Sequence, residues 1–191
     1  MRLSFLSFFF TFLLSLSFAA VNKSAKTDPL KRPLDTKNVY PVPPFNTSRL
    51  FYLQRTSNTN TIVYDLNFND NGKLNTDEPI VGYWIRYAEK GQKQDLNYIQ
   101  RKFAYGLTAK ALDNGNYDIR FVSYKKFPLT LMKSNDGKYH IFASITQKQV
   151  ILNRIFIKID GGSFWLPNVS YVELAGTDPV TGREIVEHFK P

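Results

Sequence analysis

From Leu50 to its end the chain is built of short runs in which apolar and polar residues alternate, divided by Asn, Asp and Gly. That pattern predicts half-buried strands joined by tight turns. The clearest pair comes first. Leu50–Leu66 holds two aromatic and β-branched runs about a short polar centre, which predicts a hairpin. Ile80–Ala88 predicts a third strand, with Val81, Tyr83, Ile85 and Tyr87 on one face and Ile80, Trp84 and Arg86 on the other. Both faces are largely apolar, so this strand belongs in a sheet that is covered on both sides or inside a barrel.

Further strands are expected at Tyr117–Tyr124, Leu129–Lys133, Tyr139–Ile145, Val150–Ile159, Ser163–Leu166, Val169–Leu174 and Ile185–Phe189. Asn114-Gly115, Asn135-Asp136-Gly137 and Asp160-Gly161-Gly162 supply the positive φ that tight hairpin turns need. One segment has the helical period. Leu96, Ile99 and Phe103 fall on one face of Asp95–Phe103, Asp95 is placed to cap it, and Gly106 can end the turn before another strand. The expected fold is all-β with one short helix, an antiparallel β-sandwich or barrel of about 8–10 strands.

The first 48 residues follow a different pattern. Met1-Arg2 is a minimal positive start, Leu3–Phe18 is almost wholly apolar, and Ser17-Phe18-Ala19 ends in the small residues a signal peptidase requires. Residues 1–19 therefore read as a signal peptide, cleaved before Ala20. The apolar run is short for a bilayer span, and no stable membrane insertion is expected after cleavage. The expected location is the periplasm or the outside of the cell. Residues 20–48 are rich in Pro and Lys and poor in large apolar side chains, the composition of a disordered tether. Its end, Tyr40–Phe45, is held extended by proline and can lie against the domain. Residues 49–191 then form a single β-rich domain, long enough for a proper core.

Composition narrows the chemistry. There is no cysteine, which excludes disulfides, thiolate catalysis and thiolate-bound metals. The only two histidines, His140 and His188, lack the H-E-x-x-H spacing of a zinc hydrolase. The formal charge is +9, and Arg2 leaves with the leader. Basic residues are spread along the chain, densest over Lys90–Lys126, without an aromatic RNA-binding motif or a recognition-helix pattern. Nucleic acid is not an expected partner. No G-x-S-x-G elbow, phosphate loop or dinucleotide fingerprint is present, and Ser123-Tyr124-Lys125-Lys126 matches S-x-x-K without its companion motifs.

One stretch has the spacing of a metal loop. Over Asn67–Glu78 the side-chain oxygens of Asn67, Asn69 and Asn71 fall at positions 1, 3 and 5, Gly72 at 6 and Glu78 at 12. Against calcium stand Asn at the first position and flanks that read as strands; an Asn/Asp/Gly-rich connection produces the same composition by itself. No other cofactor is expected.

Three blocks taken together resemble a known family. They are Leu50–Arg55 with Asn58–Tyr64, then Tyr83–Tyr87, then Gln100 through Phe103–Gly106. In that order, after a leader, they are similar to the secreted bacterial family called domain of unknown function 4833. The resemblance implies an exported domain and carries no activity. It points to polar residues that also stand out in the apolar runs: Arg55, Asn58, Asn60, Trp84, Arg86, Gln100 and Tyr105. The leading expectation is a non-enzymatic binding module for a polar envelope ligand such as a glycan. In it Tyr64, Trp84 and Tyr105 would stack, and Arg55, Asn58, Asn60, Arg86 and Gln100 would hydrogen-bond. An envelope hydrolase of unrecognised type and a structural or partner-binding domain are the alternatives.

Overall fold

A computed structural model describes residues 40–163 and 166–191 of the chain. The leader and most of the tether lie outside the described residues. The opening hairpin forms as expected, from β1 (Arg49–Arg55) and β2 (Asn58–Leu66), with Ser57 at positive φ in the turn. The third strand, β3 (Ile80–Arg86), pairs with β2 and is covered on both faces.

The helix is shorter and later than its period suggested. Gln92–Asp95 is instead a fully exposed strand, β4, paired along β3. Such a polar strand has no alternation to betray it. Helical geometry starts after Asn97, which with Gln100 forms a reciprocal capping box. One α-helical turn, α1 (Tyr98–Gln100), widens into a π-helical turn at Arg101–Tyr105. Leu96 is buried, while Ile99 and Phe103 are exposed, so the apolar stripe does not face one core.

A meander follows: β5 (Leu107–Ala111), β6 (Tyr117–Phe121), β7 (Leu129–Lys133) and β8 (Tyr139–Ile145). Next come β9 (Lys148–Gly162), β10 (Pro167–Thr177) and β11 (Glu184–Phe189). The expected turn at Asp160-Gly161-Gly162 is displaced, and the expected strand at Ser163–Leu166 lies partly outside the described residues, at positions 164 and 165. β9 runs on through Gly162, and the turn is closed by Ser163 N donating to Leu166 O over 3.1 Å. Gly161 and Gly162 keep positive φ there. A Cβ on Gly162 would come within 2.5 Å of the Leu166 carbonyl oxygen. The glycines shape the twisted end of a strand rather than a two-residue turn.

These eleven strands form one mixed sheet, in the order β4-β3-β2-β1-β9-β8-β7-β6-β5, with β10 on the other edge of β9 and β11 beyond it. Ten strands or fewer, all antiparallel, were expected from the sequence. The departure lies at β9, where one edge serves two partners in succession. Its first residues, Lys148–Ile151, pair with β8, and Arg154–Ile157 pair in parallel with β1. The two wings, β1–β4 and β5–β8, separate at this point and the sheet curls into a half-barrel.

The interior between the wings is the core. Phe51 of β1 stacks on Tyr64 of β2 at 4.5 Å, and Phe121 of β6 meets both edge-on from the opposite wing, at 6.2 and 5.9 Å. Each such buried ring removes enough apolar area from water to contribute about 1.5–3 kcal/mol. Gly82, opposite Tyr64, leaves room for that ring, since a Cβ would lie 3.1 Å from it. The outer face of β1–β3 has its own small apolar cluster of Val63, Tyr83 and Ile85.

Segment 40–46 lies along the outer face. Gln54 Nε2 donates to Pro41 O over 2.8 Å, Asn46 Nδ2 to Asp65 Oδ2 over 2.9 Å, and Tyr40 meets Phe156 edge-on. Asp65 also takes Arg49 Nε at 2.6 Å and the Tyr83 hydroxyl at 2.7 Å. Among the described residues no helix is long and apolar enough to cross a membrane.

Gly176 sits where β10 crosses the branch of β9, and a Cβ there would lie 2.6 Å from Ile151 O. Backbone cannot yield as a side-chain tip does, so Gly176→Ala is expected to destabilise by at least about 2 kcal/mol. Urea unfolding read by circular dichroism checks this; an unchanged midpoint would refute the close approach at the branch.

Candidate functional site

Beside the Phe51–Phe121 contact a cavity of about 720 Å³ opens, lined from Leu53 of β1 and Phe121 of β6 outward. Ligand pockets typically enclose roughly 300–1,000 Å³. Its walls come from five separate segments: the end of β1 with its turn, the π-helical turn, the loop after β6, the β9–β10 ends, and the end of β11. The lining is mostly apolar, with the row Ile155, Ile157 and Ile159 along β9 and Val172, Leu174 and Phe189 from its neighbours. Among the described residues the lining includes no Asp, Glu, His or Lys side chain. A smaller void of about 100 Å³ shares Tyr105 and is lined by Tyr64, Gly82 and Leu96.

Two of the eight residues singled out in the sequence, Arg55 and Tyr105, line the large cavity. Alternation along β1 places Arg55 on the same inward face as Phe51 and Leu53. Its Nε is buried and has no hydrogen-bond partner among the described residues. Burial raises the Tyr105 hydroxyl above its ordinary pKa of 10.0, and the positive charge of Arg55 in the same wall opposes that rise.

Three more stand behind Tyr105. The Tyr64 hydroxyl donates to Tyr105 O over 2.8 Å, and Trp84 presents its ring to Tyr105 at 5.3 Å and 81°. Trp84 Nε1 donates to Gln100 Oε1 over 3.3 Å, the same oxygen that accepts from Asn97 N. Tyr64 and Trp84 are 1% and 4% exposed, so both rings are core. The chain Tyr64–Trp84–Gln100 fixes the π-helical turn and thereby the wall that carries Tyr105.

The last three lie elsewhere. Asn58 Oδ1 accepts from Asn60 N, and Asn60 Oδ1 accepts from Ala88 N over 3.1 Å. Arg86 pairs with Glu89 in the turn after β3. These residues hold the loop between β3 and β4 and do not line the cavity.

The Asn67–Glu78 loop is a closed connection between β2 and β3, bridged at Phe68 and Leu74. Asn67 Nδ2 donates to Glu78 O, and Asn71 Oδ1 accepts from Lys73 N. Both side chains thus serve the turn. Among the described residues no three His, Cys, Asp or Glu side chains cluster as a metal site would require. Ser123, the serine of the S-x-x-K match, donates its hydroxyl to Ala104 O over 2.6 Å.

The sequence reading missed most of the cavity wall. The signal was an isoleucine alternation on β9 that runs beyond what the neighbouring strands cover, ending in the inward row Ile155, Ile157 and Ile159.

Residues 51–188 match the family described as domain of unknown function DUF4833. The chain belongs to that family. The match takes in β1 almost entirely and ends within β11, so all five cavity segments fall largely inside the family domain. No curated protein and no solved structure matches the chain.

Burial holds the Tyr64 hydroxyl well above its ordinary 10.0. The unfolded chain ionises there first, so the stability Tyr64 contributes is complete below pH 10 and falls as the pH rises towards the folded value. Tyr64→Phe leaves the Tyr105 carbonyl without its donor, an expected loss of about 1–3 kcal/mol at neutral pH. The same variant should decline less steeply above about pH 10, so that the two stability curves converge. Urea midpoints from neutral to alkaline pH check this, and parallel curves would contradict it.

Proposed function

We propose that this chain is an exported, non-catalytic binding module whose ligand enters the cavity between the wings. The observation that carries the reading is a cavity of ligand size with a mostly apolar lining and, among the described residues, no acidic or histidine side chain. Acid–base or nucleophilic chemistry needs a titratable group poised near neutrality. Here the described lining offers Arg55, Tyr105, which burial pushes away from neutrality, and Tyr124 at the rim. An apolar lining selects a ligand with an apolar body. The geometry favours such a ligand over a sugar stacked on Tyr64 and Trp84, because those rings are enclosed. Export is supported by the leader over residues 1–19, and the location proposed is the periplasm or the outside.

A neutral apolar fluorophore, N-phenylnaphthylamine, is expected to bind one to one with a rise in emission. At about a hundred times its Kd it should add roughly 2.7 kcal/mol, a rise in Tm of roughly 5–10 °C. Envelope glycans should leave Tm unchanged. A glycan that raised Tm while the fluorophore did not would overturn the apolar-ligand reading. Export has its own readout: the amino terminus of the processed chain should be Ala20.

A further inference from the structure

Polar groups in the cavity wall divide into those with partners and those without. Thr56 Oγ1 donates to Ile159 O over 2.8 Å and accepts from Ile159 N over 2.6 Å. Ser123 is bound to Ala104 O, and Ser163 Oγ accepts from Leu166 N. Ser57 and Tyr124 are exposed, at the rim. What remains inside is Arg55, the Tyr105 hydroxyl and the terminal group of Pro191; neither the Arg55 side chain nor the Tyr105 hydroxyl makes a hydrogen bond among the described residues.

Arg55 is an exception among its kind. Every other partly buried arginine among the described residues faces a carboxylate: Arg49 with Asp65, Arg86 with Glu89, Arg120 with Asp118 and Arg154 with Glu173. Arg55 has no carboxylate partner among the described residues, and its Nε, like that of Arg86, is buried without an acceptor there. Withdrawing a charged donor from water without a partner is costly. Arg55 is therefore a cation without an ion-pair partner among the described residues, and it lies in a mostly apolar cavity.

We infer that the cavity takes a single-chain amphiphile with a carboxylate head, its chain along the Ile155–Ile159 row and its head on the Arg55 guanidinium and the Tyr105 hydroxyl. This rests on the reading of the cavity as the ligand site. Three features define the ligand. The apolar walls take a hydrocarbon body. The guanidinium is a fork of donors matched to the two oxygens of a carboxylate. A single cation balances a monoanion, whereas a phosphate monoester would bring about two charges. Burial keeps Tyr105 protonated, so it is a donor at ordinary pH.

The test uses the exported chain loaded with N-phenylnaphthylamine and displaced by laurate or by lauryl alcohol, which has the same chain and no charge. Laurate should bind about tenfold or more tightly than the alcohol in the wild type. Arg55→Gln should weaken laurate about 10–100-fold and Tyr105→Phe about 2–10-fold, with alcohol binding little changed. Arg55→Lys, which keeps the charge but not the fork, should fall between. The wild-type preference should also fade as the pH drops through the carboxylate range, whatever the folding of the variants. Equal binding of acid and alcohol in the wild type overturns the inference but leaves the cavity reading standing. Failure of both to displace the probe sinks both readings. A laurate preference that persists in folded Arg55→Gln removes Arg55 from the site. Uptake by neutral phosphatidylcholine vesicles with no effect of laurate would assign the cavity to a membrane surface instead.

Discussion

Everything in this domain hangs on the pairing of β9. From Ile151 to Gly162 it is bonded on one edge by β10, while the opposite edge is divided between β8 and β1. A strand edge can hold only one partner at a given position, so β8 must leave before β1 arrives. That departure splits the sheet into two wings. Near the split the wings are close, and Phe51, Tyr64 and Phe121 fill the gap between them. Further along, the distance exceeds what side chains span, and the cavity follows. Core and cavity are two ends of one divergence, which is why the inward row of β9 passes from buried Ile155 into the cavity wall at Ile157 and Ile159 without a change of pattern.

The wall opposite β9 has to be held by other means, because the π-helical turn has few backbone partners in the sheet. Tyr64 bonds the Tyr105 carbonyl from below, Trp84 lies against its ring, and Gln100 ties Trp84 to the capping box that starts the turn. Gly106 is part of the same device, since a Cβ there would strike the Arg101 carbonyl. These groups spend their polar capacity on positioning, and the free donors are left at the surface they support. Arg55 is the counterpart on β1, set at the inward position that follows Leu53.

Most strands were legible because alternation and Asn-Gly or Asp-Gly turns are local signals. β2, β7 and β8 lie where their patterns place them. What could not be read was non-local or featureless. β4 is polar throughout and owes its form to β3. The parallel contact joins Tyr52 to Arg154 across about half the chain. Residues 96–103 carry a helical period, yet capping by Asn97 and the π-turn rotate Ile99 and Phe103 out to solvent. The site shows the same limit. Arg55 and Tyr105 stood out as polar groups in apolar runs, as did Asn60 and Arg86. Sequence cannot say which of them has a partner: Asn60 serves Ala88 and Arg86 serves Glu89, while Arg55 has none among the described residues.

The most direct test of the account is the Arg55 Nε–H resonance, followed by NMR on the purified chain. That proton is enclosed and without an acceptor in the free protein. On adding laurate it should move downfield and slow its exchange with water, while lauryl alcohol, occupying the same cavity, should leave it in place. An Nε–H that ignores laurate, in a protein that laurate demonstrably fills, would contradict the claim that the unpaired arginine is what the cavity is built around.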